Sequence, residues 1–167
     1  LLKSTSPIVD CGVHYVDVMC QITDAKPVQV RGMGVRLSQE IASDMYNYGQ
    51  FQVLFDDDSV GWYEAAWGPM VSETAYFVKD VISPNGAVSI VSAEAGSSAD
   101  IDSHTKVGRL RVHPSNGTDR LIDLPDEPDH QALCDTEAVF MAKAINENVN
   151  LTRHMSDAVQ SLAICLA

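Results

Sequence analysis

The chain contains no run of the roughly 18 apolar residues that a membrane-spanning helix needs. Its first residues, Leu1-Leu2-Lys3-Ser4-Thr5-Ser6-Pro7, lack the basic start, apolar middle and small-residue cleavage site of a secretory signal. Basic residues are scarce: 11 Lys and Arg stand against 23 Asp and Glu, for a net charge of −12. That field repels a phosphate backbone, and no Lys/Arg cluster offsets it; Arg109 and Arg111 read as alternate residues on the wet face of a strand. Nucleic acid and anionic membrane are therefore not expected as partners. Cysteine is sparse too. Cys11, Cys20, Cys134 and Cys165 form no CxxC pair and no Cys/His metal spacing, so no metal site is expected. All four fall in or beside apolar helical patterns and read as buried free thiols of a cytoplasmic protein. The sequons at Asn116 and Asn150 have no export signal to support their use. The chain also lacks an initiator Met and ends inside a helical pattern, which reads as a fragment of a longer protein.

What remains is the composition of an ordinary globular domain: 167 residues, 46% apolar and 20% charged. Residues 12–23 (GVHYVDVMCQIT) place Val13, Val16, Met19 and Cys20 at helical spacing, with Asp10 as an N-cap or first-turn acid. Lys26-Pro27 ends that helix. Strands follow. Residues 28–37 alternate Val28 and Val30 with Gln29 and Arg31; residues 49–56 alternate Phe51, Val53 and Phe55 with Gln50, Gln52 and Asp56. Asp56-Asp57-Asp58-Ser59 turns the chain into 60–67 as a hairpin. Further strands are expected over 74–82, 87–91, 106–112 and 119–124, with turns at Pro84-Asn85-Gly86 and Asn116-Gly117. The small, polar stretch 93–104 reads as a mobile loop. A second helix over 130–147 carries Leu133, Cys134, Glu137, Phe140, Met141, Ala144 and Ile145 on one face, apolar but for Glu137, and a third starts near Ser156-Asp157.

Helices flanking roughly seven short strands give an α+β fold, one large and mostly antiparallel sheet with helices packed on one face. No linker interrupts it, so residues 1–167 read as a single domain. Trp62 and Tyr63 fall on opposite faces of one strand, which leaves the second sheet face partly apolar. A partner subunit would cover it, and a homo-oligomer through the sheet is expected.

The chemically informative cluster is Asp10-Cys11-Gly12-Val13-His14-Tyr15-Val16-Asp17. Helical spacing puts Asp10, His14 and Asp17 on one face. A carboxylate one turn from an imidazole raises its basicity and fixes its tautomer, as proton transfer requires. Spacing alone equally fits a capping Asp10 beside a structural histidine. A metal site built from Asp10, His14 and Asp17 lacks a fourth ligand at a telling distance.

The string DCGVHYVD, the helix after it and KPVQV resemble the glucose–fructose oxidoreductase and inositol dehydrogenase family (Gfo/Idh/MocA), whose second domain opens a helix with D-x-G-x-H-x-x-D. VLFDDDSVGWYEAAWGP resembles the family's F-x-D-G-S hairpin, with Asp58 in place of the usual glycine. DVISPNGAVSIV is similar to its G-x-x-G strand pair, and MSDAVQSLAICLA to its last helix. These matches span nearly the whole chain in the right order.

The resemblance implies a substrate-binding and oligomerisation domain of an NAD- or NADP-dependent dehydrogenase for a sugar, polyol or related hydroxy compound. His14 would take the proton of the substrate hydroxyl as hydride leaves the same carbon, and Asp10 would orient that hydroxyl and support the imidazolium. Asp17 would steady the helix. Trp67 would stand against the substrate at a strand end. The family's dinucleotide turn and its lysine are absent. Gly32-Met33-Gly34 is half a fingerprint, with Leu37 where the last glycine belongs, and the segment reads as strand. No cofactor is therefore expected on this chain, and the fragment alone is expected to be inactive. The alternative is a non-catalytic oligomerisation or ligand-binding module on the same scaffold.

Overall fold

The structure is a computed structural model that describes residues 5–68, 79–91 and 106–167. Its elements are α1 (Pro7–Asp10), α2 (Gly12–Thr23), β1 (Pro27–Val35), β2 (Tyr48–Phe55), β3 (Val60–Ala66), β4 (Asp80–Ser83) and β5 (Gly86–Ile90). β6 (Arg109–Pro114), β7 (Arg120–Asp123), α3 (His130–Asn146) and α4 (Thr152–Leu166) follow. The chain divides into two compact units, residues 1–71 with 150–167, and residues 72–149. Among the described residues the strands form a three-stranded sheet, β1-β2-β3, and a four-stranded sheet, β4-β5-β6-β7, antiparallel throughout. The α+β class and the antiparallel pairing are as the sequence predicts. Most of the strand expected over 74–82, and the loop expected over 93–104, lie outside the described residues.

In the first unit, alternation does the folding. Gly49, Phe51, Val53 and Phe55 of β2 are buried on one face, where period-2 geometry puts them. They meet Ile8, Val16, Tyr63, Ile164 and Cys165 to form the core, with Val16 and Val53 fully shielded from solvent. α2 presents Gly12 and Val16 to the sheet, and α4 packs beside α2. The opposite sheet face carries Met33, Val60 and Trp62 exposed, so the apolar character on both faces is real. The Asp57-Asp58 turn holds Asp58 at φ +66, and Asp57 Oδ1 accepts from the Ser59 N–H at 3.0 Å and hydroxyl at 2.6 Å. A left-handed backbone there is the physical reason a glycine suits the position.

Three local expectations are corrected. Asp10 neither caps nor enters the helix expected over 12–23: Cys11 is the N-cap of α2 and makes no side-chain cap bond, while Asp10 ends the separate short α1, which Ser6 caps by accepting from the Val9 N–H at 3.2 Å. α4 starts at Thr152 rather than near Ser156, since Asn150 Oδ1 takes the Thr152 N–H at 2.9 Å and the polar first turn hides the helical pattern. The thiols are not uniformly buried. Cys165 is buried, Cys11 and Cys20 are half-buried, and Cys134 is exposed.

The second unit is described separately. β5, β6 and β7 pair in register, and Glu127 ties the chain ahead of β6 by accepting the Val107 and Gly108 N–H groups, each at 2.7 Å. Gly108 has φ +67, so glycine suits that corner. Asp129 caps α3 through the Ala132 N–H at 2.8 Å. The expected apolar face of α3 forms, yet Leu133, Phe140, Met141 and Ile145 stand exposed and Ala144 alone is buried. No helix among the described residues is long and apolar enough to cross a membrane.

Candidate functional site

Asp10 ends α1, and His14 lies in the first turn of α2. Cys11 joins them in the right-handed helical region, φ −100° and ψ −34°. The ladder tightens here: the His14 N–H bonds to Cys11 O at 3.2 Å, a three-residue step. Asp10 is half-buried and its carboxylate accepts from the Cys11 thiol at 3.7 Å. His14 is exposed, two residues from fully buried Val16 and so turned about 200° from the core face. No hydrogen bond or ion pair joins Asp10 to His14 among the described residues. Asp17 instead accepts from Gln21 Nε2 at 2.6 Å, one turn along α2.

The glycine of the D-x-G-x-H string has a clear task. A side-chain carbon at Gly12 would lie 3.3 Å from Tyr63 Cε1 and 3.5 Å from both Phe51 Cε1 and Cys165 Sγ. The α1–α2 junction thus rests directly on the rings of the sheet: Phe51 and Tyr63 lie tilted with centroids 5.5 Å apart, and Tyr15 of α2 stacks on Tyr63 at 5.1 Å. Burial, and then the neighbouring Cys11, Tyr15, Cys165 and Asp10, raise the Tyr63 hydroxyl far above the usual phenol range. Burial followed by the Asp10 charge raises the Cys11 thiol, and burial followed by Asp17 and Asp157 raises that of Cys20. All three remain protonated at neutral pH.

Trp67 leaves the end of β3, half-buried, as the strand-end reading expects. α1 lies over that same end. A side chain at Gly49 would strike Ile8 of α1 at 2.7 Å, and Gly49 pairs with Ala65, two residues before Trp67. α1 thus reaches the sheet end from which Trp67 emerges through Ile8, while Asp10 lies nearer Gly12, which rests on Phe51 and Tyr63 further into the sheet. Sequence reasoning missed Asn47, which is fully buried and fastens this end. Its Oδ1 accepts the Leu37 N–H at 2.8 Å, and its Nδ2 donates to Trp67 O at 2.7 Å. Its backbone donates to Val35 O at 3.3 Å and accepts from the Trp67 N–H at 2.7 Å. A lone Asn between Tyr46 and Tyr48 gives no periodic signal of such a role.

The Gly32-Met33-Gly34 segment does not form a dinucleotide turn. Gly32 and Gly34 lie inside β1, paired with Phe51 and Gly49, rather than at a strand-to-helix turn. A side-chain carbon at Gly34 would meet the Tyr46 ring at 2.6 Å, so the glycine makes room for an aromatic rather than for phosphate. Among the described residues, no group of three or more His, Cys, Asp or Glu could hold a metal ion. One surface hollow is lined by Gln29, Arg31, Gln52, Leu54 and Val60, another by Thr152, Met155, Ser156, Val159, Gln160 and Ala163. Neither includes Asp10, His14 or Trp67.

No protein-family model matches the chain, and no curated protein matches it in sequence. Solved structures do match in fold. Over 92% of this chain, UDP-N-acetylglucosamine 3-dehydrogenase GnnA from Acidithiobacillus ferrooxidans superposes with a TM-score of 0.65 at 18% identity, using 43% of its own length. An oxidoreductase from Agrobacterium radiobacter, solved with NAD+, L-tartaric acid and magnesium, gives 0.67 at 13% identity over 96% of this chain and 45% of its own. Aldose-aldose oxidoreductase from Caulobacter crescentus, complexed with glycerol, gives 0.63 at 17% identity over 92% and 41%. The chain has the fold of part of these oxidoreductases, and it spans less than half the length of each.

Proposed function

We propose that this chain is the substrate-side domain of an NAD(P)-dependent oxidoreductase of the Gfo/Idh/MocA type, acting on a sugar, polyol or related hydroxy compound. The observation that carries the reading is the fold shared with oxidoreductases across more than nine-tenths of the chain, joined to the D-x-G-x-H string at the α1–α2 junction. NAD or NADP would be held outside this chain, in the remainder of the longer protein, and the fragment alone would not turn over. His14 is the proton acceptor for the substrate hydroxyl. Its exposed position, turned away from the core face of α2, suits a group that meets substrate held against another domain. Asp10 orients that hydroxyl, and Trp67 offers an apolar ring to the C–H face of the sugar. The whole enzyme works in the cytoplasm.

The exposed Met33, Val60 and Trp62 on the outer face of β1-β2-β3 support a homo-oligomer through that sheet. They equally favour the second reading, a scaffold that associates without chemistry. The test that separates the two is NAD(P)H formation by the intact protein on a panel of polyols and aldoses. Reduction of nicotinamide by any of them supports the enzyme, and none across the panel with either cofactor leaves the scaffold.

A further inference from the structure

We infer that Asn47 is the positioning residue for Trp67, so that substrate fit at this sheet end is set by a buried amide rather than by Trp67 alone. The inference rests on the reading of Trp67 as a substrate contact. Trp67 is the first residue past β3, where the ladder that aligns Tyr48 with Ala66 has run out. A residue there would ordinarily fray, since an unpaired strand end opens easily. Here both backbone polar groups of Trp67 are taken by one residue: its N–H by Asn47 O and its C=O by Asn47 Nδ2, each at 2.7 Å. The same side chain's Oδ1 holds the Leu37 N–H, and its backbone holds Val35 O, so the exits of β1 and β3 and the entry of β2 share one anchor.

The amide is specific to the task. One side chain must donate to Trp67 and accept from Leu37 at once, with no solvent to substitute for either partner, because Asn47 is 0% exposed. Aspartate keeps the acceptor and lacks the donor. Alanine lacks both. Among the described residues Trp67 then keeps its N–H bond to the Asn47 backbone alone, and it gains freedom to swing.

Trp62 and Trp67 are the chain's two tryptophans, so in a Trp62→Phe background the emission reports Trp67 alone. With Asn47→Asp added, acrylamide quenching of Trp67 should rise at least about twofold and its anisotropy should fall, while the far-ultraviolet circular dichroism is kept. In the intact enzyme Asn47→Asp should raise KM for the polyol severalfold with kcat little changed, as Trp67→Ala does, and the double variant should be no worse than Trp67→Ala. Unchanged quenching and anisotropy in Asn47→Asp would overturn the inference whatever KM does. If KM is indifferent to Trp67→Ala while Asn47→Asp still loosens the indole, the substrate reading of Trp67 fails and the anchoring stands. Should no Asn47 variant fold, amide exchange in the Trp62→Phe chain decides: slow exchange of the Trp67 N–H and Asn47 Nδ2 protons supports the anchor, and exchange at the rate of an open loop refutes it.

Discussion

Replacing Gly12 tests whether the motif's glycine exists to let the α1–α2 junction sit on the aromatic floor. Alanine would place its methyl 3.3 Å from Tyr63 Cε1 and 3.5 Å from Phe51 Cε1 and Cys165 Sγ, so the Tyr63 ring must retreat by a few tenths of an ångström. Against this, alanine gains up to about 1 kcal/mol of helix propensity over glycine. Gly12→Ala should therefore stay within about 1 kcal/mol of wild type. Valine adds two further methyls to a site already closed by two rings and a thiol, and overpacking of that kind costs about 1–3 kcal/mol. Both tryptophans lie in the first unit, so urea unfolding followed by their fluorescence reports that unit. With a denaturant slope of about 1–3 kcal/mol per molar, Gly12→Val should lower the midpoint by on the order of 1 M. A Gly12→Val chain with the wild-type midpoint would refute close approach as the reason for the glycine.

Burial pushes the Cys165 thiol up to about 11 from its ordinary 9.0, so the folded chain keeps a proton that the unfolded chain releases. That contribution is whole below about pH 9 and disappears as pH rises through 11; Cys165→Ala should flatten the decline in urea midpoint over this window, and an unaltered slope would count against it. Asp58 sits at φ +66, where a β-branched residue is strained, so Asp58→Val should cost roughly 1–2 kcal/mol and Asp58→Gly less than about 1 kcal/mol in either direction. Cys134 is the exposed thiol of the four, so iodoacetamide applied to the folded chain should label it first by peptide mapping. Prior labelling of Cys165 would mean that the α4 packing is wrong.

The sequence was most legible where a period-2 pattern coincides with burial on one face. Phe51, Val53 and Phe55 announce β2, and the Asp-rich turn after them announces the hairpin, because both signals are local. Gly12 to Thr23 was legible for the same reason, since Val13, Val16, Met19 and Cys20 repeat at helical spacing. Asp10 misled because an acid before a helix is the usual sign of a cap, whereas here it ends a separate short turn of helix, α1, and Cys11 takes the N-cap position of α2 without a side-chain bond. Asn47 was illegible because its partners, Leu37 and Trp67, are remote in sequence and bond through backbone groups that no side-chain pattern encodes. Burial of the thiols was misjudged where the helix itself stays uncovered: Cys134 lies on α3, whose apolar stripe faces solvent among the described residues. The candidate site was visible as a string of letters, while the glycine's contact with Tyr63 and the hold of Asn47 on Trp67 needed three dimensions.

The proposed proton transfer by His14 is tested most directly in the intact protein, by comparing polyol oxidation in wild type, His14→Ala and Asp17→Ala. Loss of a general base lowers turnover by about 10²–10⁴-fold, so His14→Ala should fall by that factor with its circular dichroism intact, and Asp17→Ala should remain near wild type. Wild-type turnover in His14→Ala would contradict the account and leave the exposed imidazole without a catalytic role.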